Sequence, residues 1–94
     1  MTPTETISVM SLKKLTDLFR ETFEDESLVL RPDLTARDVE KWDSFNHISL
    51  VIGIETIFDI TLTTKEISAM GNVGDLIACL QGKDIDIAWG KDRF

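Results

Sequence analysis

Cysteine and histidine occur once each in the 94 residues, as Cys79 and His47. A lone cysteine cannot close an internal disulfide, and no Cys/His group has zinc-site spacing, so a reducing, cytoplasmic setting is expected and a metal is not. Basic residues are also few: 10 Lys and Arg stand against 17 Asp and Glu, a formal net charge of -7. Nucleic-acid backbones and anionic membrane surfaces are bound through clustered Lys and Arg, so neither is an expected partner. Long apolar runs are missing as well. The longest, Leu50 to Ile54, falls far short of the roughly 20 residues that cross a bilayer. Met1 to Ile7 is polar and acidic where a signal peptide has a basic start and an apolar stretch. A soluble protein is expected. No repeat period or low-complexity tract supports a repeat architecture.

What is present suits one small all-α domain. A chain of this length buries roughly 60–70% of its extended surface, so a single modest core carries the fold. Val9, Leu12, Leu15, Phe19 and Phe23 recur at helical spacing, with Lys13/Asp17 and Arg20/Glu24 four apart on the other face. The acidic run Glu24 to Glu26 opposes the macrodipole at a helix C-terminus and marks the end of this first helix. Between Ser27 and Trp42 the pattern is neither helical nor alternating, yet Leu28, Leu30, Leu34, Val39 and Trp42 are too apolar for a free linker. This long loop must pack down.

The spacing predicts a second helix over 43–58, with Asp43 as N-cap and Asp59 past the last apolar residue. Phe45, Ile48, Leu50, Val51, Ile52, Ile54, Ile57 and Phe58 cover more than half its circumference, leaving a narrow uncharged stripe of Asn46, Ser49, Gly53 and Thr56. Thr63 and Glu66 have capping-box spacing for a short third helix that Gly71 limits. A fourth helix is expected over 73–81, with Asn72 as N-cap and Gly82 as its stop. Residues 83–94, with Ile85, Ile87, Trp89 and Phe94, read as a C-terminal tail of unknown role, for which a frayed end is favoured and a docked extension stays open.

Asp43, Ser44 and His47 are the residue types of a catalytic triad, but they crowd one helix start, where the base cannot stand between nucleophile and orienting acid. His47 is expected to be structural or solvated. Neither Asp33 to Asp43 nor Asp84 to Asp92 supplies the pattern of a calcium loop. Cys79 has no cationic neighbour in sequence and reads as a packing residue. Ser44 is distinctive. With Asp43 as the cap, its hydroxyl is not needed for capping and projects from the positive end of a helix, where an attached phosphate is favoured. On the dipeptide alone, a merely capping serine stays open.

Beyond the dipeptide, the sequence resembles the acyl carrier proteins. That family carries Asp-Ser-Leu at the start of its second helix, and Asp43-Ser44-Phe45 occupies that place here, with phenylalanine for leucine. The match continues without a gap through Leu50-Val51, Glu55, Phe58-Asp59, Leu62, Glu66, Val73 and Leu76-Ile77, and more loosely covers Leu12 to Trp42. The resemblance implies an all-α, four-helix bundle with a long first loop and a short third helix. It divides the chain into a flexible N-terminus (1–7), a carrier domain (8–82) and a C-terminal tail (83–94). It also implies that Ser44 bears phosphopantetheine, attached by a phosphopantetheinyl transferase, and that the arm holds an acyl intermediate as a thioester, for fatty-acid or polyketide biosynthesis in a specialised pathway. The chain would then be no enzyme, and a monomer, with acyl-loading and acyl-consuming enzymes as partners.

By the same resemblance, Ile54, Phe58, Leu62, Ile67, Met70 and Leu76 would line an acyl pocket, against the alternative of a plain closed core. Asp43, Phe45, Ile48, Ile52 and Glu55 would form the docking face. Carriers of fatty-acid synthesis place acids along the exposed stripe of the second helix; here the matching stripe is uncharged, so apolar contact is expected to matter more than steering. Two alternatives stay open: an aminoacyl or peptidyl carrier, and an unmodified acidic helical interaction module.

Overall fold

A computed structural model of the chain describes residues 3–87, with side chains from Met10 onward. Four α-helices follow in order: α1 Pro3–Thr22, α2 Ser44–Phe58, α3 Thr64–Ser68 and α4 Val73–Gly82. There is no strand among the described residues. The expected all-α bundle is therefore present, with the long loop between α1 and α2 and a third helix of five residues.

The start of α1 differs from expectation. The helix opens at Pro3, so residues 3–7 are helical where a flexible N-terminus was expected. Proline suits this place because its missing N–H falls among those that a helix start leaves unpaired, and its φ is already helical. Further along, Leu15, Phe19 and Phe23 are fully buried while Lys13 and Asp17 pair across the exposed face at 3.1 Å. Glu24, just past the helix, adopts a left-handed φ of 55° and pairs with Lys41 on the far end of the loop.

The long loop packs down as its apolar content requires: Leu28, Leu30, Leu34 and Val39 are all buried. Its backbone polar groups are paired at both ends of the molecule. Arg20 Nε donates to the Leu28 carbonyl at 2.8 Å. Val73 N–H donates to the Leu34 carbonyl and Gly74 N–H to that of Pro32, each at 2.9 Å. These are first-turn N–H groups of α4, which no residue of the helix itself can satisfy, so the loop completes the helix start.

Trp42 closes the loop over α1. Its ring meets Phe19 edge-on at 5.5 Å and lies tilted on Phe23 at 5.2 Å, while Phe19 and Phe23 meet edge-on at 5.7 Å. Such pairs contribute about 0.5–1.5 kcal/mol each beyond their burial. α2 then lays Leu50, Val51 and Ile54 against this cluster, and α4 adds Val73, Leu76, Ile77 and Leu80.

Two further expectations need correcting. Gly82 is the last residue of α4 rather than the residue that stops it; Lys83 is the C-cap and Asp84 takes the left-handed φ of 66°. After that turn the chain returns to the bundle. Ile87 is 3% exposed, Ile85 packs against the core, and Gln81 Nε2 donates to the Ile87 carbonyl at 2.9 Å. Residues 83–87 are thus part of the domain and not a frayed tail, because apolar burial there outweighs the ordering of a few residues. Trp89 and Phe94 lie outside the described residues.

Candidate functional site

The start of α2 is fixed by local hydrogen bonds. Asp43 is extended, at φ -104° and ψ -177°, and its Oδ1 accepts from the Asn46 N–H at 2.8 Å. Asn46 Nδ2 reaches back to the Lys41 carbonyl at 2.7 Å, and His47 N–H donates to the Asp43 carbonyl at 2.8 Å. With Asp43 doing the capping, Ser44 is the first helical residue. It is exposed, and its hydroxyl has no partner among the described residues. The capping alternative for Ser44 is set aside by this arrangement. No acid occupies the first turn of α2, so the positive end of the helix is opposed only by the cap itself.

His47 follows Ser44 by three residues and so shares its side of the helix. The Trp42 indole Nε1–H donates to His47 Nδ1 at 3.0 Å, and the two rings lie within 19° of parallel with their centroids 6.2 Å apart. Asp43 Oδ1 is engaged by the Asn46 N–H. A triad is absent for that reason: the imidazole nitrogen that an orienting acid would hold is held by an indole. The residues Ala36, Trp42, Asp43, Ser44, His47 and Ile48 line an open groove of about 530 Å³. The Trp42–His47 pair was not legible in the sequence, because the loop path that joins the two rings is set by the core.

The residues expected at the docking face divide. Phe45, Ile48 and Ile52 are 77, 61 and 59% exposed and lie with exposed Asp43 on one side of α2. Glu55, seven residues after Ile48 and so on the same side of the helix, is half-buried, and its Oε2 accepts from the Leu62 N–H at 2.8 Å, which ties it to the turn between α2 and α3. The uncharged stripe also divides. Ser49 and Thr56 are exposed, but Gly53 faces α1, where an added Cβ would lie 2.6 Å from Leu18 Cδ1. A residue without a side chain reads as surface on a helical wheel and here admits a neighbouring helix.

The six residues expected to line an acyl pocket all belong to the hydrophobic core or its edge. Ile54, Leu62 and Leu76 are core residues, and Phe58, Ile67 and Met70 pack against them. The capping box of α3 is complete: Glu66 N–H donates to Thr63 Oγ1 and Thr63 N–H donates to Glu66 Oε1. The Glu66 carboxyl is held below its usual range by the Thr63 N–H first and Lys83 second. Cys79 is half-buried against the core, and burial, then the Glu66 charge, pushes its thiol up, consistent with a packing role.

No family model matches the chain, and no curated protein sequence does. Among solved structures, the solution NMR structure of the holo acyl carrier protein from Geobacter metallireducens is similar throughout. It has a TM-score of 0.69 and 30% identity, covering 84% of this chain and 94% of that one. The match extends to the four-helix architecture, and it places this chain among carrier proteins rather than enzymes. At this level of identity and coverage, the chain belongs to the acyl carrier protein family.

Proposed function

We propose that this chain carries acyl intermediates as thioesters on a phosphopantetheine arm attached to Ser44. One observation carries the proposal: Ser44 begins α2 with an unpartnered, exposed hydroxyl while Asp43 caps the helix in its place. That the similar Geobacter metallireducens protein is a holo carrier supports it. In attachment by a phosphopantetheinyl transferase, Ser44 Oγ would lose its proton to the transferase and bond to the pantetheine-bearing phosphorus of coenzyme A as the pyrophosphate P–O bond breaks, and adenosine 3',5'-bisphosphate leaves. The unpaired N–H groups and dipole of α2 favour the resulting negative charge at this point. The attached arm supplies the thiol that holds the acyl group. The chain supplies a fixed anchor and a surface that its enzymes grip.

Loading and consuming enzymes are the expected partners, meeting the exposed Phe45, Ile48 and Ile52. The cytoplasm, with its reduced thiols, is the setting that such an arm requires. An acyl chain that reaches past the arm would shelter among Ile54, Phe58, Leu62, Ile67, Met70 and Leu76 by parting them. Loading a medium chain then raises the melting temperature, since a group bound only by the folded state stabilises it.

Intact mass after incubation with a transferase and coenzyme A tests the assignment. Wild type should rise by one phosphopantetheinyl group, and Ser44→Ala should stay unchanged. A wild-type chain that takes no arm, while binding partners through its exposed isoleucines, would be an unmodified interaction module instead.

A further inference from the structure

Ser44 lines a groove that runs toward the long loop, away from α3. Ala36, Trp42, Asp43, His47 and Ile48 line it with Ser44. Among the residues expected to shelter an acyl chain, Ile54, Leu62 and Leu76 are buried, at 0, 6 and 2% exposed. An arm tethered to a residue that itself lines the groove enters it without searching, because the tether supplies a high effective concentration.

The groove also holds a donor of fixed identity. An indole nitrogen can only donate, so His47 Nδ1, which receives the Trp42 Nε1–H at 3.0 Å, is the accepting nitrogen of the ring. The ring proton is therefore on Nε2, which has no partner among the described residues. His47 and Ser44 are three apart on one helix, a separation of about 5–6 Å between Cβ atoms. The Asp43 carboxylate, with Oδ1 engaged by the Asn46 N–H, repels a second anion and leaves the imidazole side as the favourable one.

Resting on the reading of Ser44 as the attachment site, we infer that the first half of the arm lies in this groove. Its phosphate accepts from His47 Nε2–H, and its geminal dimethyl carbon lies on Trp42, Ala36 and Ile48. Trp42 and His47 are then arm-positioning residues, and the distal thiol remains free to meet an enzyme.

The test compares apo and holo protein by heteronuclear NMR, with intact mass confirming each sample. In the holo protein, nuclear Overhauser contacts are expected between the arm methyl groups and the Trp42 ring, whose signals are assigned by their loss in Trp42→Phe. The Trp42 indole N–H and the His47 ring signals should shift on attachment. Ala36→Leu, at an exposed position, fills the groove and should abolish those contacts while the Phe19 and Phe23 signals stay in place. The phosphorus signal should shift in His47→Ala. Holo mass with no arm contact to Trp42, with contacts to Leu62 or Met70 instead, or with a phosphorus signal indifferent to His47→Ala, would overturn the inference and leave the attachment site standing. A wild-type chain that shows no mass increase would remove both.

Discussion

Gly74 donates its N–H to the Pro32 carbonyl at 2.9 Å, and a Cβ added at Gly74 would lie 2.9 Å from that same oxygen. The long loop and α4 therefore meet backbone to backbone, at a separation that only glycine allows. Gly74→Ala should push the loop away and destabilise the fold by about 1–3 kcal/mol, as overpacking does. Gly82, near the other end of the same helix, has nothing within 4 Å of its added Cβ. Gly82→Ala should be neutral or stabilise by up to about 1 kcal/mol. Urea denaturation of the two variants checks the contrast.

Ile87 should count as core. Ile87→Ala is expected to cost about 2–4 kcal/mol, as for other fully buried aliphatic side chains. Gln81→Ala, which removes the donor to the Ile87 carbonyl, should cost about 1 kcal/mol. A melting temperature unchanged in Ile87→Ala would mean that residues 83–87 detach without consequence.

Acid should weaken the fold through carboxylates that are held ionised. Glu66 is lowered by Thr63 and Lys83, Glu24 by Lys41, and Asp38 by the Thr35 N–H and hydroxyl and by Arg31. A carboxyl whose folded value lies below its unfolded one contributes fully above the unfolded value, about 3.9 for Asp and 4.3 for Glu. That contribution is lost as pH falls through the folded value. Stability should thus be level from neutral pH to about 5 and decline below it. Glu66→Gln should flatten part of the decline in a series of denaturation curves.

Docking should depend little on salt. The exposed side of α2 offers Phe45, Ile48 and Ile52 beside uncharged Ser49 and Thr56, with Asp43 at one end and Asp59 at the other. Binding to an acyl-loading enzyme is expected to change less than about threefold through the physiological salt range. Ile48→Ala or Ile52→Ala should weaken it about tenfold or more. A steep salt dependence with tolerated isoleucine variants would shift recognition to charge elsewhere, such as Glu24 to Glu26.

Local chemistry was the most legible part of this molecule. Asp43, Thr63 and Asn72 cap their helices as their spacing to Asn46, Glu66 and Asp75 implies, because a cap is settled within four residues. The buried set of α1 followed from periodicity for the same reason. Features set by distant partners were not legible. Gly53 was read as surface because Leu18, thirty-five residues earlier, is what it admits. Glu55 was read as a docking charge because its acceptor role depends on where the chain turns to Leu62. Ile87 was read as frayed because its burial needs an assembled bundle. At the site, Ser44 could be singled out, whereas its groove required the loop to bring Trp42 onto His47.

The cap at Asp43 has a mechanical consequence. Asn46 is gripped at its N–H by Asp43, while its side chain grips the Lys41 carbonyl, so the backbone that carries Ser44 is fixed at the start of α2. The helix then acts as a ruler: Ile52 lies eight residues along it, about 12 Å from Ser44 at 1.5 Å per residue. An enzyme that seats its own surface on Ile48 and Ile52 would thereby set the point from which an arm on Ser44 starts.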